Sequence, residues 1–426
     1  MLVTLGCDKN TVDSETILSF FKRNNFEIIN DPSDADAIVI NTCGFIEDAK
    51  TESLDTIFEY SKYDAKLIVT GCLVERYYKE LKEELSDIVD LFIPIRDYKK
   101  MSKEIIKLFP DEIKEEYNPY FRLYDDSFSA FLKISDGCNH YCAYCAIPLI
   151  RGRFSSIPKE IILKQAEELA KAGKKEIVIV SQDTSCYGSD LYKDYNICSL
   201  LKDLLKIKEI KSIRLLYLYA QEIDDELINL IKENSEVLQP YFDIPVQHTE
   251  NKLLKSMNRK DTKEGILSLI NKIRTEIPSA ILRTTIIVGY PGETSRDFSN
   301  MIKFLKLCKF DHLGAFKYSP EEGTVGANLP HQVRPSTKQK RYDSLLKEQM
   351  PISFNQNKKH KDEIMNGFII SKEDKNTYLV RTYFNAPGEI DGDIIITSSI
   401  DHKIGDEVKI KILTTSVYDL YGEEII

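Results

Sequence analysis

Residues 136–145 read Asp136-Gly137-Cys138-Asn139-His140-Tyr141-Cys142-Ala143-Tyr144-Cys145. Three cysteines spaced CxxxCxxC on one short loop can bind three irons of a cubane iron–sulfur cluster. The fourth iron is then left without a protein ligand, whereas an electron-transfer cluster normally has four cysteines. The loop therefore indicates a cluster with one iron open to a small molecule.

A structural zinc site is the alternative for this loop. Such sites use four closed ligands, usually as cysteine or histidine pairs separated along the chain. His140 could supply a fourth ligand, but it lies between two of the cysteines, where it would compete sterically with a loop already wrapped about one metal centre. The cluster is the favoured interpretation.

The motif loop follows the first of six strand-like runs, and helical patterns separate most of the runs. These runs cover residues 128–134, 176–181, 212–218, 241–246, 281–288 and 312–318. Repeated strand–helix units predict a parallel sheet or an incomplete barrel. A further helix is predicted over residues 335–350, and Pro351 is expected to end it.

Shorter apolar runs recur before the motif loop, over residues 2–5, 37–40, 67–70 and 91–94. Continuous apolar runs that alternate with helical segments are typical of a parallel sheet covered on both faces. The fold class predicted for this part of the chain is therefore α/β.

Cys7, Cys43 and Cys72 each stand just after one of these first three strands. The carboxyl ends of parallel strands lie at one edge of a sheet, where ligand sites form. Any one of the three alone could be a small buried apolar residue, which is a common fate of free cysteine. Three equivalent positions favour a second cluster, again with one open iron. Cys186, Cys198 and Cys308 show no such pattern and are expected to pack in the interior.

Residues 354–426 differ in character from the rest of the chain. Residues 408–412 alternate apolar and charged side chains, and Gly388, Gly392 and Gly405 stand at turn positions. A small antiparallel β-barrel is the natural interpretation. From Lys361 to the end, 7 Lys and Arg against 13 Asp and Glu give this module a charge of −6.

Four regions follow from these patterns: an N-terminal domain at 1–105, a linker at 106–126, a central domain at 127–352 and a C-terminal domain at 353–426. The formal charge of −10 and pI near 5.4 argue against a chain that binds by neutralising many phosphates. The start of the chain shows no signal-peptide pattern, and no apolar run approaches the roughly 20 residues of a membrane span. A cytoplasmic protein with reduced cysteines is expected.

Stretches 8–15, 41–46, 134–153 and 381–392 resemble the methylthiotransferases, a family of radical S-adenosylmethionine (SAM) enzymes, and within it the RimO-type branch. The resemblance covers essentially the whole chain. It implies an N-terminal cluster domain, a central partial (βα)6 barrel of the radical SAM type and a C-terminal TRAM barrel with an OB-like fold. This order matches the regions defined above.

The resemblance also implies two 4Fe-4S clusters and their ligands. The cluster that cleaves SAM falls on Cys138, Cys142 and Cys145, and an auxiliary cluster falls on Cys7, Cys43 and Cys72. Tyr144, the aromatic residue before the last motif cysteine, is expected near the adenine of SAM, unless it is simply a loop tyrosine.

Three further residues, Gln182, Gln247 and Gly289, lie at or just beyond predicted strand ends that face the same opening. Residues 289–293 resemble the family's glycine-containing loop on the cofactor side. Each of the three is a candidate for direct contact with the cofactor, and each could instead be a turn or packing residue.

For the reaction, the resemblance implies insertion of a methylthio group at the β-carbon of one aspartate of small-subunit ribosomal protein S-twelve. A 5′-deoxyadenosyl radical removes the hydrogen, the auxiliary cluster delivers sulfur, and a second SAM supplies the methyl group. The implied electron donor is a protein such as flavodoxin or ferredoxin. No side chain in the sequence must act as a general base, so the catalytic residues stay unassigned.

Two other functions compete with this one. A tRNA adenosine methylthiotransferase would carry the same two clusters, but RNA binding favours a basic C-terminal barrel. The charge of −6 points instead to a positively charged protein partner and argues against direct nucleic-acid binding. A non-catalytic iron–sulfur electron-transfer or scaffold protein is the second alternative, although two three-cysteine sites on a large βα core suit that role poorly.

Overall fold

The computed structural model of the protein describes residues 1–388 and 390–425. Glu389, which belongs to the stretch 381–392, and Ile426, the last residue of the predicted C-terminal domain, lie outside the described residues. Mixed α/β architecture is confirmed, with two parallel α/β units and a closed β-barrel following one another along the chain.

The first unit is a sheet of four parallel strands in the order β1-β2-β3-β4. The strands are β1 Leu2–Thr4, β2 Ala37–Thr42, β3 Lys66–Gly71 and β4 Leu91–Ile93. The helices are α1 Asp8–Arg23, α2 Glu47–Tyr60, α3 Cys72–Leu85 and α4 Met101–Ile105. Ile40 and Val69 pack on the face covered by α2 and α3, and Val39 and Ile68 pack on the face covered by α1 and α4. Side chains of a strand alternate between faces, so continuous apolar runs are required here.

Residues 106–128 contain no helix or strand and lie across α1. The Tyr117 hydroxyl is 2.8 Å from Thr16 Oγ1, and the Leu123 amide donates to the Glu15 carbonyl at 3.0 Å. The Arg122 guanidinium also pairs with the Glu15 carboxylate. This segment is therefore packed against the first unit before the chain enters the second.

The second unit holds six parallel strands in two sheets, β5-β8-β9 and β10-β11-β12, together with a small antiparallel pair, β6–β7. The strands are β5 Ser129–Lys133, β6 Ser135–Asp136, β7 Ser155–Ser156, β8 Glu176–Val180, β9 Ser212–Leu215, β10 Tyr241–Asp243, β11 Ile281–Val288 and β12 His312–Lys317. The helices are α5 Ile147–Ile150, α6 Lys159–Lys171, α7 Ile197–Leu204, α8 Asp225–Glu233, α9 Asn251–Ser256, α10 Lys263–Glu276, α11 Ser295–Cys308 and α12 Pro335–Asn357. A parallel bridge between Ile213 and Leu238 joins the two sheets into one partial barrel.

The C-terminal barrel closes in the order β13-β14-β15-β17-β16. Its strands are β13 Ile364–Asp374, β14 Thr377–Arg381, β15 Ile394–Thr397, β16 Glu407–Thr415 and β17 Leu420–Glu424. Four of the pairings are antiparallel, and β15 with β17 is parallel. An odd number of strands cannot alternate in direction all the way around a closed ring, so one parallel pair is unavoidable.

This barrel packs on one face of the central sheet. Val178 and Val180 of β8 belong to the same buried cluster as Val380 and Phe384 of the barrel, whereas Ile177 of β8 packs against the surrounding helices. The alternating faces of one strand thus serve two separate cores.

A buried carboxylate fixes the orientation of the barrel on the central unit. Asp391 accepts a hydrogen bond from the Tyr241 hydroxyl at 2.6 Å and lies 3.3 Å from Arg283 Nε. The same arginine donates to Asp243 at 3.1 Å, and His312 lies 3.7 Å from Asp391. Burial by itself would raise the pKa of Asp391, but the charges of His312 and Arg283 hold it below its usual range.

The prediction that Pro351 ends the last helix is wrong, because α12 continues to Asn357. Proline removes one intrahelical hydrogen bond, but buried contacts beyond it compensate. Ser353 Oγ donates to the Asp311 carbonyl at 2.9 Å, and Gln356 Nε2 donates to the Asp311 carboxylate at 3.0 Å. Within the described residues, neither this helix nor any other is long and apolar enough to cross a membrane.

Asp391→Asn is expected to lower the free energy of unfolding by about 3 kcal/mol, because Arg283 loses a charged partner inside the protein. Asp362→Asn is the matched control, since Asp362 is exposed and 3.7 Å from Lys411, a surface pair that contributes less than about 1 kcal/mol. Urea denaturation of the full chain, followed by circular dichroism, gives both values. Equal effects of the two substitutions would contradict a structural role for the buried carboxylate.

Candidate cluster and cofactor site

Cys7, Cys43 and Cys72 lie together at the carboxyl ends of β1, β2 and β3. Cys7 is the N-cap of α1, Cys43 directly follows β2, and Cys72 is the first residue of α3. Cys43 and Cys72 are buried, whereas Cys7 is exposed. Burial raises the pKa of Cys43 to about 12, and the neighbouring Cys72 and Cys7 also raise it. The parallel sheet thus brings three cysteines that are distant in sequence to one edge.

Two glycines with left-handed backbones allow the cysteine loops to pack so closely. Gly6 has φ +91°, and a Cβ atom there would lie 2.9 Å from Cys43 Sγ. Gly71 has φ +96°, and its Cβ would lie 2.5 Å from the Thr42 carbonyl oxygen. Glycine adopts this conformation at little cost and has no side chain to clash.

Buried polar side chains hold the loops in place. Asn10 Nδ2 donates to the carbonyls of Leu5 at 2.8 Å and Thr42 at 3.1 Å, so one amide ties the ends of β1 and β2 together. Ser53 Oγ, from α2, accepts from the Cys43 amide at 3.0 Å and donates to the Cys43 carbonyl at 2.8 Å. Both side chains are fully buried, so few other hydrogen-bond partners are available to them.

Cys138, Cys142 and Cys145 lie on the loop between β6 and α5. The Cys145 amide donates to the Cys142 carbonyl at 2.9 Å, and the Cys138 amide donates to the Gly152 carbonyl at 3.2 Å. Burial raises the pKa of Cys138 to about 11 and that of Cys145 to about 12, and in both cases Cys142 adds to the increase. The three thiols are therefore close neighbours in a half-buried site.

One buried arginine accompanies this second triad. The Arg259 side chain is 4% exposed, lies 4.1 Å above the Tyr219 ring and pairs with Asp261 at 2.6 Å. Burial raises the pKa of the Cys142 thiol, and the positive charge of Arg259 opposes that increase. This cation favours the thiolate form that metal binding requires.

His140 is held by residues outside the cysteine triad. Its Nε2 atom is hydrogen-bonded to Asp183, just beyond β8, and its ring is stacked on Tyr219 with the ring centroids 3.9 Å apart. Burial by itself would raise the pKa of Asp183, but the His140 hydrogen bond and others lower it. Donor atoms of His140, Asp183 and Cys186 lie within 4.8 Å of one another. The imidazole is thus engaged elsewhere and does not complete a zinc site with the motif cysteines.

Two of the predicted cofactor residues lie in or beside the loop that carries Cys138, Cys142 and Cys145. Tyr144 is half-buried and packs beside Met257 and Tyr290, and burial raises the pKa of its hydroxyl well above the usual value. Gln182 follows β8, and its Oε1 atom is buried without a hydrogen-bond partner among the described residues. A buried acceptor of this kind is costly unless a ligand satisfies it.

The other two predicted cofactor residues occupy turns with left-handed backbones at the same end of the partial barrel. Gln247 has φ +66°, and its amide donates to the Thr285 carbonyl at 2.8 Å. Gly289 has φ +75°, and a Cβ there would lie 2.4 Å from Lys338 Cγ. The Gly289 amide donates to the Glu293 carboxylate at 2.8 Å. Close packing against Lys338 is sufficient to require glycine at this position.

The first cysteine triad faces the barrel end that carries the second. Lys9 Nζ lies 3.3 Å above the Tyr217 ring, and the Tyr217 hydroxyl donates to Asp8 at 3.0 Å. Tyr217 lies just beyond β9, and Asp8 follows Cys7 directly. Arg151, beyond α5, reaches to 3.5 Å from Cys72 Sγ.

Of the three remaining cysteines, Cys186 is only partly buried and its thiol lies within 4.8 Å of donor atoms of His140 and Asp183, so the expectation that it packs in the interior is wrong. Cys198 and Cys308 are each 1% exposed and lie in the hydrophobic core, as predicted.

A cleft of about 730 Å³ lies beside the first sheet and is lined by residues that include Leu2, Phe21 and Phe109. No cysteine lines that cleft, so it is separate from both triads.

Sequence reasoning did not single out Asn10, Ser53, Arg151, Asp183 or Arg259. Asn10 and Arg151 lie inside the two stretches 8–15 and 134–153, which offered a signal for them. Arg259 is far from every cysteine in sequence, and only the three-dimensional arrangement reveals its contact with Cys142.

Family models match three parts of the chain. Residues 132–305 match the radical SAM superfamily, residues 1–93 match the uncharacterized protein family UPF0004, and residues 366–425 match the TRAM domain. Each match falls within one of the three folded units.

Curated relatives match nearly end to end. The ribosomal protein uS12 methylthiotransferase RimO of Caldicellulosiruptor saccharolyticus is 44% identical, with 99% of each chain covered. The proteins of the same name from Desulforamulus reducens and Alkaliphilus oremlandii are 42% and 43% identical, with 99% of this chain and 98% of each relative covered.

Solved structures with a similar fold include the radical SAM methyltransferase TsrM from Kitasatospora setae. Its complex with tryptophan and a SAM analogue matches with a TM-score of 0.54 at 11% identity, covering 80% of this chain and 81% of that chain. A second structure of TsrM, with cobalamin and a 4Fe-4S cluster, gives a TM-score of 0.51 at 13% identity, covering 68% and 66%. At this identity the likeness concerns the fold.

Gly71→Ala is expected to displace the Cys72 loop, because its Cβ would clash with the Thr42 carbonyl oxygen. After anaerobic reconstitution, such a variant should retain roughly half of the iron of the parent chain, since one of the two triads is disrupted. Gly173→Ala is the matched control: it has φ +86° but nothing within 4 Å of the new Cβ, so it bears only the backbone strain of about 1 kcal/mol. Equal iron contents in the two variants would contradict the steric explanation.

Proposed function

This chain belongs to the RimO family of ribosomal protein uS12 methylthiotransferases, and we propose on that basis that its two cysteine triads hold the two clusters of the reaction. The protein is a radical SAM enzyme that inserts a methylthio group at the β-carbon of an aspartate of uS12, the ribosomal protein S-twelve. Its cofactors are two 4Fe-4S clusters and SAM. A tRNA adenosine substrate is not favoured.

The main support for assigning the cluster ligands is that the two three-cysteine sites lie together at one end of the partial barrel, which we call the barrel mouth. Each triad supplies three thiolates, one fewer than a fully ligated cubane cluster needs. Cys138, Cys142 and Cys145 hold the cluster that cleaves SAM, and Cys7, Cys43 and Cys72 hold the auxiliary cluster. Arg259 beside Cys142 and Arg151 beside Cys72 are suitably charged partners for the two anionic sites.

When bound, these groups supply a 5′-deoxyadenosyl radical, a sulfur atom and a methyl group. The chain's own residues position the reactants and exclude water. Lys9 and Asp8, packed on Tyr217, cover part of the barrel mouth beside Cys7. We assign no general base.

For SAM, the best-supported contact is Gln182, whose buried Oε1 atom is free to accept a hydrogen bond from the ligand. Tyr144 borders the motif cysteines and offers an aromatic surface for the adenine. Gln247 lies in the strained turn beyond β10 and is assigned to the same binding site. Gly289 supports the site indirectly, because its backbone and Lys338 pack together.

We propose that uS12 docks on the acidic C-terminal barrel. Some of the barrel's carboxylates are used internally: Asp391 at the barrel interface, Glu363 with Tyr383, and Glu424 with His402. The exposed carboxylates of the described part of this barrel include Asp362, Glu373, Asp374, Asp393, Asp401, Glu407 and Glu423, of which Asp362, Asp401 and Glu407 also pair with lysines at the surface. Ribosomal proteins are commonly basic, so complementary charge would steer the encounter.

The enzyme works in the cytoplasm, where its cysteines stay reduced and its ribosomal substrate is made. A flavodoxin or ferredoxin supplies the electrons. Direct nucleic-acid binding has no part in the proposal.

Replacing Cys7, Cys43 and Cys72 together with alanine is expected to abolish methylthiolation of uS12 while 5′-deoxyadenosine formation continues. Replacing Cys138, Cys142 and Cys145 should abolish both, because SAM then has no cluster to bind. Cys308→Ala is the control, since this cysteine packs in the core away from both triads. Chromatography of the nucleoside and mass spectrometry of uS12 measure the two outcomes. Methylthiolation by the first variant would overturn the assignment of the auxiliary site.

Substrate choice is tested by offering uS12 and tRNA together under anaerobic reducing conditions. Mass spectrometry of the digested products should find a methylthio group on one aspartate of uS12 and none on tRNA nucleosides. An unmodified aspartate beside a methylthiolated tRNA base would overturn the proposed function.

A further inference from the structure

Arg151 connects the two cysteine triads through a single side chain. It is the residue after α5, so it belongs to the segment that follows the motif loop. Its side chain is 2% exposed and lies within the seam between the first sheet and the partial barrel. Nη2 donates to Asn10 Oδ1 at 2.7 Å and lies 3.5 Å from Cys72 Sγ.

The other half of the guanidinium is held by carboxylates from both sides of the seam. Nη1 donates to Asp13 of α1 at 2.6 Å and lies 3.3 Å from Asp136, two residues before Cys138. Lys133 of β5 completes the group, at 2.5 Å from Asp13 and 3.3 Å from Asp136. Two cations and two carboxylates balance, so Arg151 is required for neutrality.

These contacts give Arg151 a geometric link to both triads. Asn10, which accepts from Arg151, also ties the ends of β1 and β2, next to Cys7 and Cys43. On the other side, the Cys138 amide donates to the carbonyl of Gly152, the residue that follows Arg151. A change at this arginine therefore reaches the backbone of both sites.

We propose that Arg151 is a positioning residue that fixes the Cys7/Cys43/Cys72 site against the Cys138/Cys142/Cys145 site and sets the reduction potential of the auxiliary cluster. This inference rests on the proposed placement of that cluster. Net charge and hydrogen bonds to ligand sulfurs are established determinants of iron–sulfur potentials. A fixed cation beside Cys72 favours the more negatively charged, reduced cluster, so its loss lowers the potential.

A second contact at the seam provides a control that distinguishes loss of contact between the two units from an electronic effect on the cluster. Arg76 of α3 donates to Glu321, in the loop after β12, at 2.8 Å and to the Gly44 carbonyl at 3.0 Å. Lys50 lies 3.3 Å from the same glutamate. Arg76 therefore joins the same two units, but among the described residues its hydrogen bonds go to oxygen atoms and not to a cysteine sulfur. Arg76→Gln is the control for contact between the two units. Arg153→Gln, at an exposed position, is the control for charge near the motif loop.

The test uses the full chain with Cys138, Cys142 and Cys145 replaced by alanine, so that iron reports on the auxiliary site alone. Redox titration followed by electron paramagnetic resonance should give a lower midpoint potential for Arg151→Gln, with Arg151→Lys between it and the parent. Lysine keeps the charge but not the planar fork that engages both sides of the seam. Arg76→Gln and Arg153→Gln should shift the potential less than Arg151→Gln. An unchanged potential in Arg151→Gln with full iron content would overturn the electronic role.

Hydrogen–deuterium exchange on the cluster-free chain tests the positioning role without any need for iron. Arg151→Gln should accelerate exchange several-fold in residues 8–14 and 134–138, and Arg153→Gln should not. Equal exchange in these two variants would overturn the positioning role. Loss of all iron from the triple-alanine parent would instead count against the proposed cluster site, so the two failures are distinguishable.

Discussion

Buried opposite charges at the seam between the first sheet and the partial barrel fix where the two cysteine sites lie. Arg151, Asp13, Lys133 and Asp136 form one such group, and Arg76 with Glu321 forms another. A buried charge that loses its partner costs several kcal/mol, so each group tolerates few relative positions of the two units. The relative placement of the two proposed cluster sites depends on this seam because each unit supplies one triad.

The C-terminal barrel is placed by the same kind of constraint. Asp391 enters the central unit and meets Arg283 and Tyr241, while apolar side chains of the barrel pack on the face of β8 that the helices leave free. The acidic surface of the C-terminal barrel consequently has a fixed orientation relative to the open end of the partial barrel, where the two cysteine triads lie. In the proposed function, these contacts join the docking of a basic protein to the chemistry at the two cluster sites.

The residues around the mouth are suited to positioning. Asn10 and Ser53 hold backbone loops, His140 is held by Asp183, and Gln182 offers a single unsatisfied acceptor. This arrangement agrees with chemistry that the cofactors carry out, in which the protein contributes orientation and a dry environment. Arg151 and Arg259 add fixed positive charge where anionic clusters are expected.

Much of the fold followed from local pattern, since the apolar runs of both α/β units and the alternation in residues 408–412 correspond to observed strands. The spacing of Cys138, Cys142 and Cys145 determined the chemical class, because one short loop needs no tertiary structure to bring its ligands together. Helix α12 continues past Pro351, where the sequence predicted its end, because buried hydrogen bonds to Asp311 outweigh the one lost at the proline. Only the tertiary structure decided which distant side chains meet: Arg151 with Asp13, Arg259 with Cys142, and Asp391 with Arg283. Such pairs have no sequence period, because burial selects them after the elements have packed.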